Sequence, residues 1–219
     1  MTAAEIFTDA AGRASLEGMQ VTATRGARPV HEVAPAVTLV GRSDIERDSP
    51  QVLAEALRGE IGTFFQQTTP GQGTVIIRGL KGSQILHLVD GMRLNNAFFR
   101  SAPNQYLALV DPYATSRMEV LRGAAPTLYG SDAMGGVVQV LTGEPELGGQ
   151  RWNTDGRIYT ALRSADSGKV FRAEGETARA GLGMSGGVTW QDYGNRRIGG
   201  GDQGIGISGI ADHQHFDVA

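Results

Sequence analysis

The sequence changes period after Gly148-Gly149. Arg157 to Leu162, Lys169 to Ala180 and Leu182 to Tyr193 are strand-like segments of about ten residues, glycine-rich and weakly alternating, with short polar turns between them. A period of two sends successive side chains to opposite faces, so such segments find partners only as neighbours in an antiparallel sheet. Transmembrane β-strands have this length and alternation, and so does any open antiparallel sheet. Gly199 to Gly209 reads as a loop, and His215-Phe216-Asp217-Val218-Ala219 as a further strand.

Upstream the texture differs. Met1 to Gln20 is rich in alanine, glycine and acids with little periodicity and reads as a flexible arm, while Val21 to Arg25 is a β-prone run that no turn signal closes into a hairpin. Val37 to Val40 is a strand, and Ser43-Asp44-Ile45-Glu46 has the pattern of a capping box opening a helical turn. Ser49-Pro50 predicts a second helix start, with Val52, Leu53, Ala56 and Leu57 on one face until Gly59. From Thr74 the period becomes strand-like: Thr74 to Arg78, then Gln84 to Val89 ending in the turn dipeptide Asp90-Gly91. Leu94 to Tyr113 is irregular. Arg117 to Leu121 and Gly136 to Leu141 are two more strands, so residues 37–141 form a small α+β domain with a mixed sheet and short helices.

Composition removes several classes of function. There is no cysteine, hence no disulfide frame and no thiol chemistry, and a formal charge of −3 lacks the positive excess that nucleic acid demands. No window reaches the ~18 consecutive apolar residues of a membrane helix, and the first residues, with Glu5, Asp9 and Glu17, lack the apolar run of a signal peptide. Gly183-Met184-Ser185-Gly186-Gly187 fits a nucleophile-elbow pattern but sits in a strand-like run with no helix after it. Gly204-Ile205-Gly206-Ile207-Ser208-Gly209 fits a dinucleotide fingerprint but leaves too few residues for the helix and strand that must follow. His213 and His215 share a strand face without a third ligand nearby, and His87 reads as a hydrogen-bonded core histidine. No enzyme, metal site or cofactor is expected.

Three ordered motifs carry a more specific signal. They are Arg78-Gly79-Leu80, then Ile85-Leu86-His87-Leu88-Val89-Asp90-Gly91-Met92-Arg93-Leu94-Asn95-Asn96, then Arg117 to Thr142 with Glu119-Val120-Leu121-Arg122-Gly123 and Leu128-Tyr129-Gly130-Ser131-Asp132 inside it. Together they resemble the plug domain of TonB-dependent outer-membrane receptors, with the likeness running over about residues 17–145. The resemblance implies three parts: an arm over 1–24 holding a TonB-box-like segment, a plug over 25–148, and over 149–219 three to four strands opening an antiparallel transmembrane β-barrel. It implies TonB as partner, with ExbB and ExbD behind it, a monomer in the outer membrane with its plug facing the periplasm, and active uptake of a scarce nutrient such as a ferric siderophore or haem-type iron complex. Met19, Gln20, Val21, Thr22 and Ala23 would bind TonB by adding a strand to its sheet edge. Phe98, Phe99, Arg100 and Tyr106, with the segment from Phe64 to Gln72, would meet the ligand, since aromatics with an arginine suit an anionic chelate. Arg78, Arg93, Arg117, Glu119 and Arg122 would make charged contacts between plug and barrel.

The chain departs from that family in length. A barrel of roughly 22 strands at about ten residues each needs roughly 220 residues before any loops. Only about 70 residues follow Gly149, fewer than the smallest closed barrel needs, and an open edge is not tolerated in lipid. A fragment, a split gene product or a truncated chain is the expectation. The alternative reading is a stand-alone periplasmic interaction module, or a gene fragment without transport activity.

Overall fold

The computed structural model describes residues 19–20, 22–23, 28–29, 36–69, 71–95, 106–143, 145, 147, 150–194 and 213–218. The strands are β1 (Met19–Gln20), β2 (Arg28–Pro29), β3 (Ala36–Gly41), β4 (Thr63–Thr69), β5 (Gln72–Ile77), β6 (Ile85–Val89), β7 (Met92–Arg93), β8 (Thr115–Arg122) and β9 (Gly136–Thr142), followed by β10 (Asn153–Arg163), β11 (Gly168–Arg179), β12 (Leu182–Asp192) and β13 (His213–Val218). Among the described residues there are also two short helices, α1 (Arg42–Asp48) and α2 (Pro126–Tyr129), and four 3-10 turns.

A five-stranded sheet in the order β3-β8-β9-β6-β7 forms the first unit, antiparallel except where β6 runs parallel to β9. β9 sits in its middle, and Gly136-Val137-Val138-Gln139-Val140 is buried throughout, as a strand covered on both faces must be. The period of two divides the core. Met118, Val120, Val138 and Val140 pack on one face with Ile45, Leu53, Leu57 and Ile77, while Leu121 and Val137 pack on the other with Ala23, Leu86, Ala125 and Ala133. Asp90 (φ 46) and Gly91 (φ 82) make the two-residue turn between β6 and β7, pairing Val89 with Met92 as the dipeptide predicted.

Two local expectations need correction. Ser49 does not start a helix. It ends α1 in the left-handed region (φ 44), donating its N–H to Ile45 O at 2.9 Å, while Gly41 donates to Asp44 Oδ2 at 3.2 Å at the front of α1. Pro50 cannot extend α1, and the short stretch before Gly59 closes instead as a 3-10 turn over Leu53–Leu57, which still buries Leu53, Ala56 and Leu57. β4 has no alternation to betray it and exists because β5 pairs with it, Thr63 opposite Ile77. Nor is the described part of the Val21 to Arg25 run a strand: Thr22 and Ala23 form a turn, and the antiparallel pairing lies just before it, Met19 with Pro29 and Gln20 with Arg28.

The second unit is an antiparallel meander, β10-β11-β12-β13. Its alternation is inverted relative to a sheet in water. Ile158, Leu162, Phe171, Leu182, Met184 and Trp190 point outward and are exposed, Leu162 by 85%, whereas Arg172, Thr189 and Gln191 point inward toward the first unit and are buried, Arg172 to 2% exposure. No helix among the described residues is long and apolar enough to cross a membrane, which says nothing of strands.

At Gly136 the backbones of β8 and β9 leave no room for a side chain: an added Cβ would stand 2.5 Å from Leu121 O and 3.2 Å from Ile77 Cδ1. Backbone cannot yield there as a side-chain tip would. Gly136→Ala is expected to destabilise the protein by about 1–3 kcal/mol, measured as a lower urea midpoint with an unchanged slope.

Candidate functional site

Glu119 lies on β8 between Leu39 of β3 and Gln139 of β9, and its side chain is fully buried. A carboxylate in such a place holds its charge only if donors surround it. Thr22 supplies two, its N–H at 2.8 Å and its hydroxyl at 2.7 Å from Glu119 Oε2, and Arg117 Nη2 stands 3.1 Å from Oε1. The Tyr129 hydroxyl donates to Thr22 O at 2.7 Å, so the amide, hydroxyl and carbonyl of Thr22 are all engaged. Ala23 fits beside them among Leu86, Leu121, Ala125, Ala133 and Val137. Arg93 braces the same turn from outside, donating to Tyr129 O at 2.7 Å and pairing with Asp132 at 3.0 Å.

A second polar cluster joins the two units. Glu174 on β11 receives three guanidiniums: Arg42 Nη1 at 2.5 Å and Arg157 Nε at 2.6 Å on Oε1, and Arg172 Nε at 2.7 Å on Oε2. Arg157 also pairs with Glu46 of α1, and Arg172 Nη1 lies 3.2 Å from Asp111 Oδ2 and 2.8 Å from Thr189 Oγ1. Three arginines thus meet Glu46, Asp111 and Glu174, and the cluster is neutral. Further along the same seam Arg163 donates to Ser49 O at 2.6 Å, Gln51 Nε2 to Asp166 at 2.8 Å, and Tyr113 stacks on Tyr159 with ring centroids 5.3 Å apart. Burial pushes the Tyr113 phenol above its usual range, so it stays a donor, to Pro50 O at 3.1 Å. Gly187 leaves room for this packing, since a Cβ there would sit 2.8 Å from Arg172 Nη2. A cleft of about 560 Å³ opens beside the cluster, lined from the first unit by Arg42, Asp90 and Thr142 and from the meander by Asp155, Glu174 and Glu176.

Residues 29–137 match the model of the TonB-dependent receptor plug domain. The chain belongs to the TonB-dependent receptor family. It is 32% identical over 163 residues to the vitamin B12 transporter BtuB of Vibrio vulnificus, a match that covers 73% of this chain and 25% of the relative. The chain therefore spans about a quarter of the length of that curated relative. In fold it resembles the pyoverdine outer membrane receptor FpvA of Pseudomonas aeruginosa, with a TM-score of 0.64, 20% identity and coverage of 81% of this chain and 25% of that one. It is likewise similar to the copper transporter OprC, with a TM-score of 0.64, 18% identity and coverage of 78% and 26%. The five-stranded unit is the plug, and the meander corresponds to barrel wall that is unclosed within this chain.

The structure redistributes the plug residues singled out by sequence. Arg93 pairs with Asp132 and Arg117 with Glu119, both pairs within the plug. Arg122 donates to Ile61 O, and the guanidinium of Arg78 lies over Gly123, both again within the plug. Tyr106 is buried, with its ring 5.4 Å from that of His87. Phe98, Phe99, Arg100 and Val21 lie outside the described residues, as do the arm over 1–18 and the loop over 199–209. Phe64 is exposed on β4, while the ring of Phe65 covers Gly73. Ser185 lies within β12, as expected of a strand serine and not of a nucleophile elbow. Sequence reasoning missed Arg42, Glu46, Asp111, Arg157, Arg172 and Glu174. The available signal was charge at every second position, Arg172, Glu174 and Glu176, interleaved with Phe171, Ala173 and Gly175.

His87 is the buried core histidine expected. Its backbone N–H donates to Asn95 Oδ1 at 2.9 Å, and Asn95 Nδ2 donates to Ile85 O at 2.8 Å. Burial lowers its pKa from 6.5 to about 4 despite hydrogen bonds that pull the other way. Between those values the unfolded chain binds a proton that the folded plug refuses, so stability present above pH ~6.5 is lost as pH falls toward about 4. The loss is expected to be of order 3 kcal/mol, and urea titrations of His87→Leu across that range should lack this component. At the seam, a double-mutant cycle of Arg42→Ala and Glu174→Gln should return a coupling of about 1–3 kcal/mol, with faster amide exchange in α1 for each single variant.

Proposed function

We propose that this chain is the plug and leading barrel strands of an outer-membrane transporter that takes up a scarce nutrient and is driven by TonB. The observation that carries the reading is the inverted alternation of β10–β12, apolar outward and ionic inward, with a plug fastened to the ionic side. A sheet of that kind is at rest only with lipid on one face and protein or water on the other. Phe171 and Trp190 are cross-strand neighbours near one end of the outer face, and Trp152 with Arg179 over its ring at 5.9 Å marks the other, as aromatic girdles do. The two-residue turn Ala180-Gly181 then faces the periplasm, and the longer connection between β12 and β13 faces outside. A soluble periplasmic module would not expose Ile158, Leu162, Phe171 and Leu182 on one face.

In this reading Met19–Ala23 is the TonB-binding segment, and ExbB and ExbD energise TonB. Arg78 and Arg122, which have no carboxylate partner among the described residues, serve at the end of the plug sheet remote from β10–β12 as contacts to the rest of the wall. Phe98, Phe99 and Arg100 with the β4–β5 hairpin form the ligand-facing part, without Tyr106. The cargo is a ferric siderophore or haem-type iron complex. A second reading, a corrinoid, is favoured by the 32% identity to a vitamin B12 transporter.

The experiment is an in-frame deletion of the coding segment for residues 36–194 in the source bacterium. Energy-dependent uptake of radiolabelled ferric chelates, haem and cyanocobalamin is then compared with the parent, and the protein is located by membrane fractionation. Loss of uptake of one iron complex, with the protein in the outer-membrane fraction, is the expected result. Loss of cyanocobalamin uptake alone moves the cargo to the second reading, and a soluble periplasmic protein ends the transporter reading.

A further inference from the structure

We propose that the outer face of the wall at its periplasmic end, around Arg179 and Trp152, binds the phosphate of an anionic glycerophospholipid in the adjoining leaflet and selects it against a zwitterionic one. The inference rests on the reading of β10–β12 as membrane wall with the Ala180-Gly181 turn toward the periplasm, and it adds a ligand held on the lipid side of that wall.

The register of the strands gathers six outward side chains into two adjoining rows. In the row at the end of the wall Arg179 stands opposite Leu182, with its guanidinium 5.9 Å from the centre of the Trp152 ring. In the next row Thr177 stands between Thr154 and Met184. Arg179 is held in place twice, by the indole and by the bond from its Nε to Gln150 O at 3.2 Å. Its two Nη groups, a coplanar fork of donors that matches two phosphate oxygens, have no protein partner among the described residues. The Thr154 and Thr177 hydroxyls lie 3.0 Å apart, so one donates to the other and the second keeps its own O–H to give away. Donors left over at the edge of an apolar face find their acceptors in lipid headgroups.

The placement of the acids gives the patch its sign. Asp155 and Glu176, the carboxylates nearest in sequence, alternate to the inner face and line the cleft there, and no carboxylate among the described residues stands in the two outward rows. At the far end of the same face Lys169 stands opposite Asp192, so that end presents both signs. The periplasmic end thus offers donors to a phosphate and no acceptor of its own charge to an ammonium. A headgroup carrying both brings its ammonium up against Arg179 and is disfavoured, whereas a glycerol headgroup carries only the phosphate charge. Leu182 and Met184, each 62% exposed beside the cation, cover the first methylenes of the acyl chains.

The test uses the protein purified in mild detergent from the membranes of the source bacterium, with phosphatidylglycerol and phosphatidylethanolamine of identical acyl chains as probes and native mass spectrometry to count bound lipid. The parent should retain one phosphatidylglycerol and bind it about ten-fold more tightly than phosphatidylethanolamine. Arg179→Gln should lose that preference, Arg179→Lys should keep part of it, and Lys169→Gln, at the other end of the face, should bind like the parent. Equal binding of the two lipids by the parent, or undiminished phosphatidylglycerol binding by Arg179→Gln, overturns the site. Displacement of the lipid by excess inorganic phosphate also overturns it, since the ligand is then the free anion. Protein found in the outer-membrane fraction alongside any of these results leaves the wall reading standing, whereas protein found soluble and free of lipid overturns the wall reading and the lipid site together.

Discussion

Glu174 accepts from three guanidiniums, and the packing of the plug on the wall depends on that convergence. A transmembrane wall has to be apolar outside, so its inner face receives the polar residues, and the plug must meet a surface that no hydrophobic core can match. The solution is a seam of compensated charge. Arg42 and Glu46 come from a helix seven residues long, Asp111 from the turn before β8, and Arg157, Arg172 and Glu174 from two adjacent strands. Ion pairs of this kind hold position well but gain little over water, because each charge surrenders hydration to form them. A plug fastened in this way is specific in register and low in adhesion. Its own sheet, with Val138, Val140, Met118 and Leu53 packed to full burial, is held by the opposite kind of force.

That division explains which parts of the molecule were legible in the sequence. Strands β5, β6, β8 and β9 and the β6–β7 turn could be read because their apolar runs and Asp90-Gly91 are local signals. The wall strands could be read for the same reason, although β10 reaches back to Asn153, four residues before the alternation becomes visible at Arg157. β4 was not legible, since Thr63–Thr69 carries no pattern and owes its conformation to β5. Ser49 misled because a serine before a proline is the ordinary signature of a helix start, whereas here the left-handed serine closes the helix before it.

The charged residues were harder still. Motif resemblance drew attention to Arg78, Arg93, Arg117, Glu119 and Arg122, of which Arg93 and Arg117 pair with carboxylates of the plug itself and Arg122 donates to a plug carbonyl. The residues that join plug to wall lie in stretches without a motif, and their pairing depends on which face of a strand meets which turn of a helix. Register carries that information, and a single sequence does not display it. Tyr106 stands in a segment that looks irregular in sequence, and the 3-10 turn over Tyr106–Leu109 sets its ring beside His87.

The strand order of the plug also has a temporal consequence. β9 is the last plug strand to be synthesised and lies in the middle, between β8 and β6. Before Gly136 to Thr142 emerge, the β3–β8 pair and the β6–β7 hairpin have an empty lane between them and no common core. Such a chain has mostly long-range contacts and cannot close early. Its two halves acquire a common core only when the last strand of the plug takes its place between them.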